Sequence, residues 1–486
     1  MRTDHELFAA HMCGWDQATL ASDAPTEPDT ATARALSRRQ VLNGIGVLTA
    51  AALLSACTQQ QRPPSAPEAT GAPATGAAPA VNPSLTPAAL GNAMNGIDQI
   101  QPWQEEFYKD LHRHPDVWGE EARTAEKVTR KLQEVGVDEI LQIGGGVVGI
   151  VRNGDGRSVL FRADMDALPV TEATGLEYSS TEPGKSHVCG HDAHVASGLG
   201  AAALLAKNKS EWSGTYLALF QPGEETGKGA QAMVDDGLVA KLAAVKPDVC
   251  LAQHVLTVPE SGHVATRSGA ILSAGDSMKV TVFGKGSHGS MPQLGVDPAV
   301  LASSIVLRLQ GIVSREIAPG QFGVVTVGAM KVGTAPNVIS DRAELLLNVR
   351  AYDPAVRDKI LASIDRIVRG ECQAAGSPQE PTFETLATFP LTVNDPTVTD
   401  AVTQAFTQAF GADRVHELAP VPASEDFSLI PAALGVPFTY WGNGGFLPGM
   451  PVVGNHNPTF APAIQPTVRT GTEAAIAAAL AYLGRG

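Results

Sequence analysis

Three apolar runs in this chain end in side chains that carry chemistry, and that limits its fold more than any other feature. Ser158–Arg162 is followed by Asp164 and Asp166, Thr215–Phe220 by Gln221-Pro222-Gly223-Glu224-Glu225, and Val249–Gln253 closes on His254. Each run reads as a short buried strand. The C-terminal ends of strands are where open α/β sheets build their sites, so residues far apart in sequence are expected to converge. Helix-like runs alternate with these strands, at Gln104–His114, Ala122–Val135 and Val195–Lys207, and further strands are expected at Val147–Val151 and Pro437–Trp441. Strand alternating with helix predicts an α/β domain with a parallel or mixed sheet.

Between 270 and 381 the texture changes. Ser277–Phe283, Phe322–Val332, Ala343–Tyr352 and Thr382–Thr388 read as strands, with helices at Asp297–Glu316 and Pro354–Ala375. The order β-α-β-β-α-β is that of a ferredoxin-like sandwich, and α/β sequence on both sides marks it as an inserted domain. The catalytic domain is therefore expected at 94–269 and 382–486. At 486 residues the chain is too long for one ordinary core. Its formal net charge of −15 argues against nucleic acid or an anionic membrane surface as a partner.

The front end reads as a leader. Ser37-Arg38-Arg39-Gln40-Val41-Leu42 places twin arginines before an apolar stretch, Val41 to Ala56, too short to span a bilayer comfortably. The stretch closes on Leu54-Ser55-Ala56-Cys57, which looks like a lipobox, so residues 1–57 are expected to be a twin-arginine lipoprotein signal with Cys57 lipidated. Residues 58–93 are rich in Ala, Pro and Thr and read as a disordered tether. The expected location is the outer face of the cell membrane. Of five cysteines, Cys250 and Cys372 sit in apolar or helical contexts and read as buried free thiols.

The densest run of chemistry is Cys189-Gly190-His191-Asp192-Ala193-His194. A thiol and an imidazole two positions apart, at a strand-to-helix turn, suit a divalent transition metal. With Glu224, Glu225, His254 and His456-Asn457-Pro458 they make the inventory of a metal-dependent hydrolase that keeps one carboxylate for proton transfer.

These motifs resemble the M20 metallopeptidase family, in the branch of amidohydrolases acting on N-acyl amino acids, hippurate and auxin conjugates. The matching segments, in family order, are Arg162–Pro169, the CGHDAH run, Phe220–Glu225, Gly286–Pro292, Pro336–Ile339, Ser424–Phe427 and His456–Pro458. The resemblance implies a mixed-sheet, zinc-peptidase-like catalytic domain with an inserted dimerisation domain. It implies Cys189, His191, Glu225, His254 and His456 as ligands of two divalent metal ions (Zn, Mn, Co or Ni), Glu224 as general base, and Asp166 as the carboxylate orienting a ligand. It also implies His288 at the oxyanion, with Asn337 and Arg350 on a substrate carboxylate. The family pattern assigns no ligand at His194. Asp164 stands where other branches carry a ligand His, which leaves its role open, and Gly223 stands where the family more often has Ala. The expected reaction is hydrolysis of an N-acyl amino acid or similar small amide by a homodimer. The alternatives are a carboxypeptidase or dipeptidase of the same family, or an inactive lipid-anchored binding protein.

Overall fold

The computed structural model describes residues 81–82 and 85–483. The expected leader, Cys57 and most of the tether lie outside the described residues. One part of the tether does not. Pro87–Ala93 is a helix capped by the Thr86 hydroxyl, with Leu90 and Ala93 buried against the helices Pro396–Phe410 and Ile464–Leu483. The expectation that the tether runs to residue 93 is corrected accordingly: Leu85 and Leu90 are apolar anchors that the Ala/Pro-rich composition around them conceals.

The strands in chain order begin with β1 Glu139–Ile143, β2 Gly146–Asn153, β3 Ser158–Asp164, β4 Gly214–Gln221, β5 Val249–Glu260 and β6 Val264–Thr266. They continue with β7 Gly269–Leu272, β8 Ala274–Phe283, β9 Ser287–His288, β10 Gly323–Val332, β11 Val338–Ile339, β12 Arg342–Ala351 and β13 Thr382–Phe389. The last three are β14 Thr392–Asn394, β15 Val415–Glu417 and β16 Phe438–Phe446. Eight form a mixed sheet in the order β1-β2-β4-β3-β5-β16-β6-β15. Its centre, β4-β3-β5-β16, is parallel. Helices cover both faces of these strands, which is why they read as continuous apolar runs without alternation.

The helix His191–Lys207 begins four residues earlier than the sequence suggested, directly after Gly190 at φ 100°. It is buried from His191 to Leu205, and small residues let its neighbours approach closely. A Cβ on Gly200 would fall 2.0 Å from Gln104 Nε2, on the helix Ile97–Arg113. One on Gly471, in Ile464–Leu483, would fall 2.7 Å from Ser197 Oγ.

A second, antiparallel sheet has the order β10-β12-β8-β13, the ferredoxin-like arrangement. Its helices, Pro298–Gly311 and Pro354–Ala375, each start with an Asp cap followed by Pro. Asp297 and Asp353 accept the N–H groups of Ala299 and Ala355, so each helix start is specified locally. Burial alternates along β12, whose inward residues Ala343, Leu345, Leu347, Val349 and Ala351 meet both helices in a core of their own. The fold is thus α/β with an inserted α+β sandwich, and the expected boundary at 381 is corrected: β13 pairs with β8 as the fourth strand of the inserted sheet, so the insertion runs through Phe389. Cys189, Cys250 and Cys372 are free and buried, and no described helix is long and apolar enough to cross a membrane.

Candidate metal centre

The parallel strands deliver their chemistry to one end of the large sheet. Asp164 is the last residue of β3, and Asp166 follows it. Glu224 and Glu225 follow β4 across a turn at Gly223, whose φ is 58°. That turn is held from outside: Glu121 Oε1 accepts the Gly223 N–H at 3.0 Å, and the Trp118 ring fills the space a Cβ would need. His254 lies within β5 rather than past its end. β3 pairs with β5 only as far as Ala252, so His254 lies just beyond the last pair between those two strands. His456 arrives from the loop after β16, at φ 70°, the only non-glycine with positive φ among the described residues. A strained backbone at a polar loop residue is commonly retained for function.

The five expected ligands come together. Donor atoms of Cys189, His191 and Glu225 lie within 4.8 Å of one another. His254 Nε2 is 3.4 Å from Cys189 Sγ, and His456 Nε2 is 3.2 Å from Glu225 Oε2. Hydrogen bonds set the tautomers. His191 Nδ1 donates to the Asp166 carbonyl at 2.9 Å, with an Asp166 carboxylate oxygen at 3.3 Å. His254 Nδ1 donates to the Val255 carbonyl at 2.8 Å. Both Nε2 lone pairs therefore face the cluster. His191 Nε2 and Glu225 Oε1 are buried without a hydrogen-bond partner. Buried polar atoms are rarely left so, and a thiolate, imidazoles and a carboxylate are the donors a divalent transition ion takes. The residues fit such an ion, and their number is enough for more than one. Asp166 also accepts the Glu225 N–H at 3.0 Å, so it orients two of the five.

The two adjacent glutamates are driven apart in acidity. Burial, then the carboxylates of Glu425, Glu225 and Asp426, push Glu224 well above the usual range. Burial would also raise Glu225, but His456 and then His191 hold it down at about 2. Burial, then His194, lowers His254 to about 3, so it is a neutral imidazole. One carboxyl that keeps a proton readily beside one that stays ionised is the division of labour expected of a base and a ligand.

Beneath them lies a network the sequence reading left without a role. Arg162 is fully buried and grips Glu425 with both terminal nitrogens, at 2.7 and 3.2 Å, and Asp164 at 2.6 Å. Tyr440 donates to Glu425, and Gln221 to Asp426. An arginine inside an otherwise apolar strand was the available signal.

The inserted sandwich contributes less within one chain. Arg350 Nε donates to Asn348 Oδ1 at 2.9 Å, and its Nη1 to Ser424 Oγ, next to Glu425. His288 on β9 and Asn337 just before β11 are exposed; His288 pairs with Val338, and the Gly289 N–H donates to the Asn337 carbonyl. Neither makes a hydrogen bond or ion pair with the cluster.

Residues 160–480 match the model of peptidase family M20/M25/M40. The chain belongs to that family. It is 37% identical over 339 residues to thermostable carboxypeptidase 2 of Saccharolobus solfataricus, covering 69% of this chain and 84% of the relative. It is 36% identical over 340 residues to hippurate hydrolase of Campylobacter jejuni, covering 69% and 87%. Its fold is similar to that of a dinuclear metal-binding M20 peptidase from Bacillus subtilis, with a TM-score of 0.65 and 26% identity over 79% of this chain and 98% of that one. This M20 protein is a metal-dependent hydrolase.

Proposed function

We propose that the chain hydrolyses the amide bond of N-acyl amino acids or related small conjugates. The observation that carries this reading is the meeting of Cys189, His191, Glu225, His254 and His456 around unpartnered donor atoms, beside a buried Glu224. Two divalent ions (Zn, Mn, Co or Ni), when bound there, supply Lewis-acid polarisation of the amide carbonyl and acidify water. Glu224 accepts a proton from the attacking water as its oxygen bonds the carbonyl carbon, then returns the proton to the amine nitrogen as the C–N bond breaks. Asp166 holds His191 and the Glu225 backbone in register. Arg350 and Asn337 bind the substrate carboxylate, and His288 stabilises the oxyanion from the neighbouring subunit of a homodimer. Exposed Val300 and Leu307 on the helix Pro298–Gly311, with exposed Leu294 just before that helix and exposed Val338 on β11, offer apolar surface for that pairing. The twin arginines and lipobox support export and anchoring through Cys57.

Purified protein assayed for metal and against a panel of N-acyl amino acids and dipeptides tests the reading. Stoichiometric metal with preference for N-acyl amino acids is expected. Cleavage confined to dipeptides or C-terminal residues would favour the second reading, a carboxypeptidase or dipeptidase, which the carboxypeptidase relative supports. Metal binding without turnover of any amide would favour a binding protein. Mass spectrometry of the mature N-terminus is expected to find Cys57 lipid-modified, and an unmodified Cys57 would rule the anchor out.

A further inference from the structure

Asp164 and His194 lie beside the cluster, and the mechanism above does not use them. Either could pass for a ligand, because an Asp164 oxygen and one nitrogen each of His191, His194 and His254 fall within 4.8 Å of one another. The hydrogen bonds of His194 exclude it there, and both oxygens of Asp164 are already turned to other side chains. Asp164 Oδ2 accepts from Arg162 Nη1 at 2.6 Å, and Oδ1 accepts from His194 Nδ1 at 2.5 Å. His194 Nε2 faces the Val255 N–H at 2.8 Å. A backbone N–H can only donate, so Nε2 carries the lone pair and the proton sits on Nδ1, facing the carboxylate. Each polar atom of the two side chains is thereby engaged.

The placement has a reason in the sheet. Beyond Ala252, β5 keeps β16 on one side but has lost β3 on the other. A buried backbone N–H on the vacated side needs an acceptor, and His194 supplies it in place of a strand. The Val255 carbonyl takes the Nδ1 proton of His254, so fixing the Val255 peptide groups aims the His254 imidazole. At the far end Arg162, locked by Glu425 and Gln221, holds Asp164. Arg162, Asp164 and His194 are all buried, so bulk water does not compete for these bonds.

We propose that Asp164 and His194 are positioning residues: with Arg162 they form a buried brace that fixes Val255, and through it His254, and neither ligates metal. The proposal rests on the reading of His254 as a ligand. Full-length protein, stripped of metal and titrated with cobalt(II), tests it. His194→Asn keeps a donor toward Asp164 and gives up Val255, whereas His194→Gln keeps an acceptor toward Val255 and gives up Asp164. Both are expected to bind as many cobalt ions per chain as wild type, with roughly 10- to 100-fold weaker affinity for one of them by chelator competition. The thiolate-to-cobalt absorption band should persist, since Cys189 is untouched, while the ligand-field bands shift. In metal-free wild type the His194 Nδ1 proton should give a far-downfield NMR resonance that vanishes in His194→Gln.

Loss of one ion per chain in both variants would make His194 a ligand, and unchanged cobalt affinity would make it an ordinary core residue. Either result overturns the brace. Should a His194 variant not fold, Asp164→Asn carries the same readouts, because an amide cannot accept from both Arg162 and His194. Failure of wild type to bind cobalt would instead sink the reading of the cluster, and the downfield proton would still decide whether the Asp164–His194 bond exists.

Discussion

Gly223→Ala adds one methyl group to the turn that presents Glu224 and Glu225, and its effect can be worked from the geometry. At φ 58° an alanine is strained by about 1–2 kcal/mol. Its Cβ would also sit 2.0 Å from Trp118 Cε3 and 2.5 Å from Cζ3, an overlap with a rigid ring. Relieving such an overlap costs about 1–3 kcal/mol. The variant should lose roughly 2–5 kcal/mol of stability, or the turn must move. If it moves by about 1 Å, the misplaced base costs on the order of 100-fold in kcat. Thermal unfolding and kcat at saturating metal would be measured for Gly223→Ala, Trp118→Ala and the pair. The double variant should recover the overlap contribution and keep the backbone strain, so the two substitutions should couple favourably. A Gly223→Ala protein with unaltered stability and kcat, or a double variant no better than the sum of the singles, would refute the role given to Trp118.

A buried ion triad makes a pH prediction. Burial alone would lower His112, but hydrogen bonds to Asp192 and Glu172 overcome it and hold it at about 9. A raised histidine contributes stability that is complete below pH 6.5 and lost as pH climbs through 9, worth roughly 3 kcal/mol across that window. In urea unfolding, His112→Gln should lack that slope, and curves for wild type and variant that stay parallel from pH 6.5 to 9 would contradict it. Co-expressed His288→Ala and Glu224→Gln subunits should regain part of the activity, because one site of each mixed dimer keeps both residues. Heterodimers confirmed by mass and still inactive would return His288 to its own subunit or remove it from catalysis. Arg350→Lys should raise KM for carboxylate-bearing substrates by about tenfold with a smaller effect on kcat, since a point charge replaces a fork. Equal loss in kcat with KM unchanged would point to the Ser424 contact instead.

Much of the fold was legible because buried parallel strands write themselves as uninterrupted apolar runs. β3 and β4 were found within two residues at each end for that reason, and Pro354–Ala375 because Asp353-Pro354 marks its start. The short strands β1, β6 and β15, at or next to the edges of the large sheet, have no such run to show, and neither do the helices Pro396–Phe410 and Ile464–Leu483. Ile464–Leu483 is buried nearly all round and rich in Ala and Thr, so it shows no amphipathic period to detect. In the site, residues that need a free donor atom stand out in sequence, as Cys189 and His191 do. Residues that act through others do not. Arg162, Glu121 and Glu425 acquire meaning only when the turn or carboxylate they hold is known, and what His194 holds is clear only when the partners of both its nitrogens are known.

The division between Glu224 and Glu225 is the centre of the account, and one comparison tests it. Metal content and turnover of an N-acyl amino acid would be measured side by side for wild type and Glu224→Gln. Glutamine keeps the volume and polarity of the side chain but cannot accept the proton, while Glu225 and the four other donors remain. Metal content near that of wild type, with kcat lower by roughly two to four decades, is the predicted result. A Glu224→Gln protein that has lost its metal, or one that turns over substrate at the wild-type rate, would contradict it.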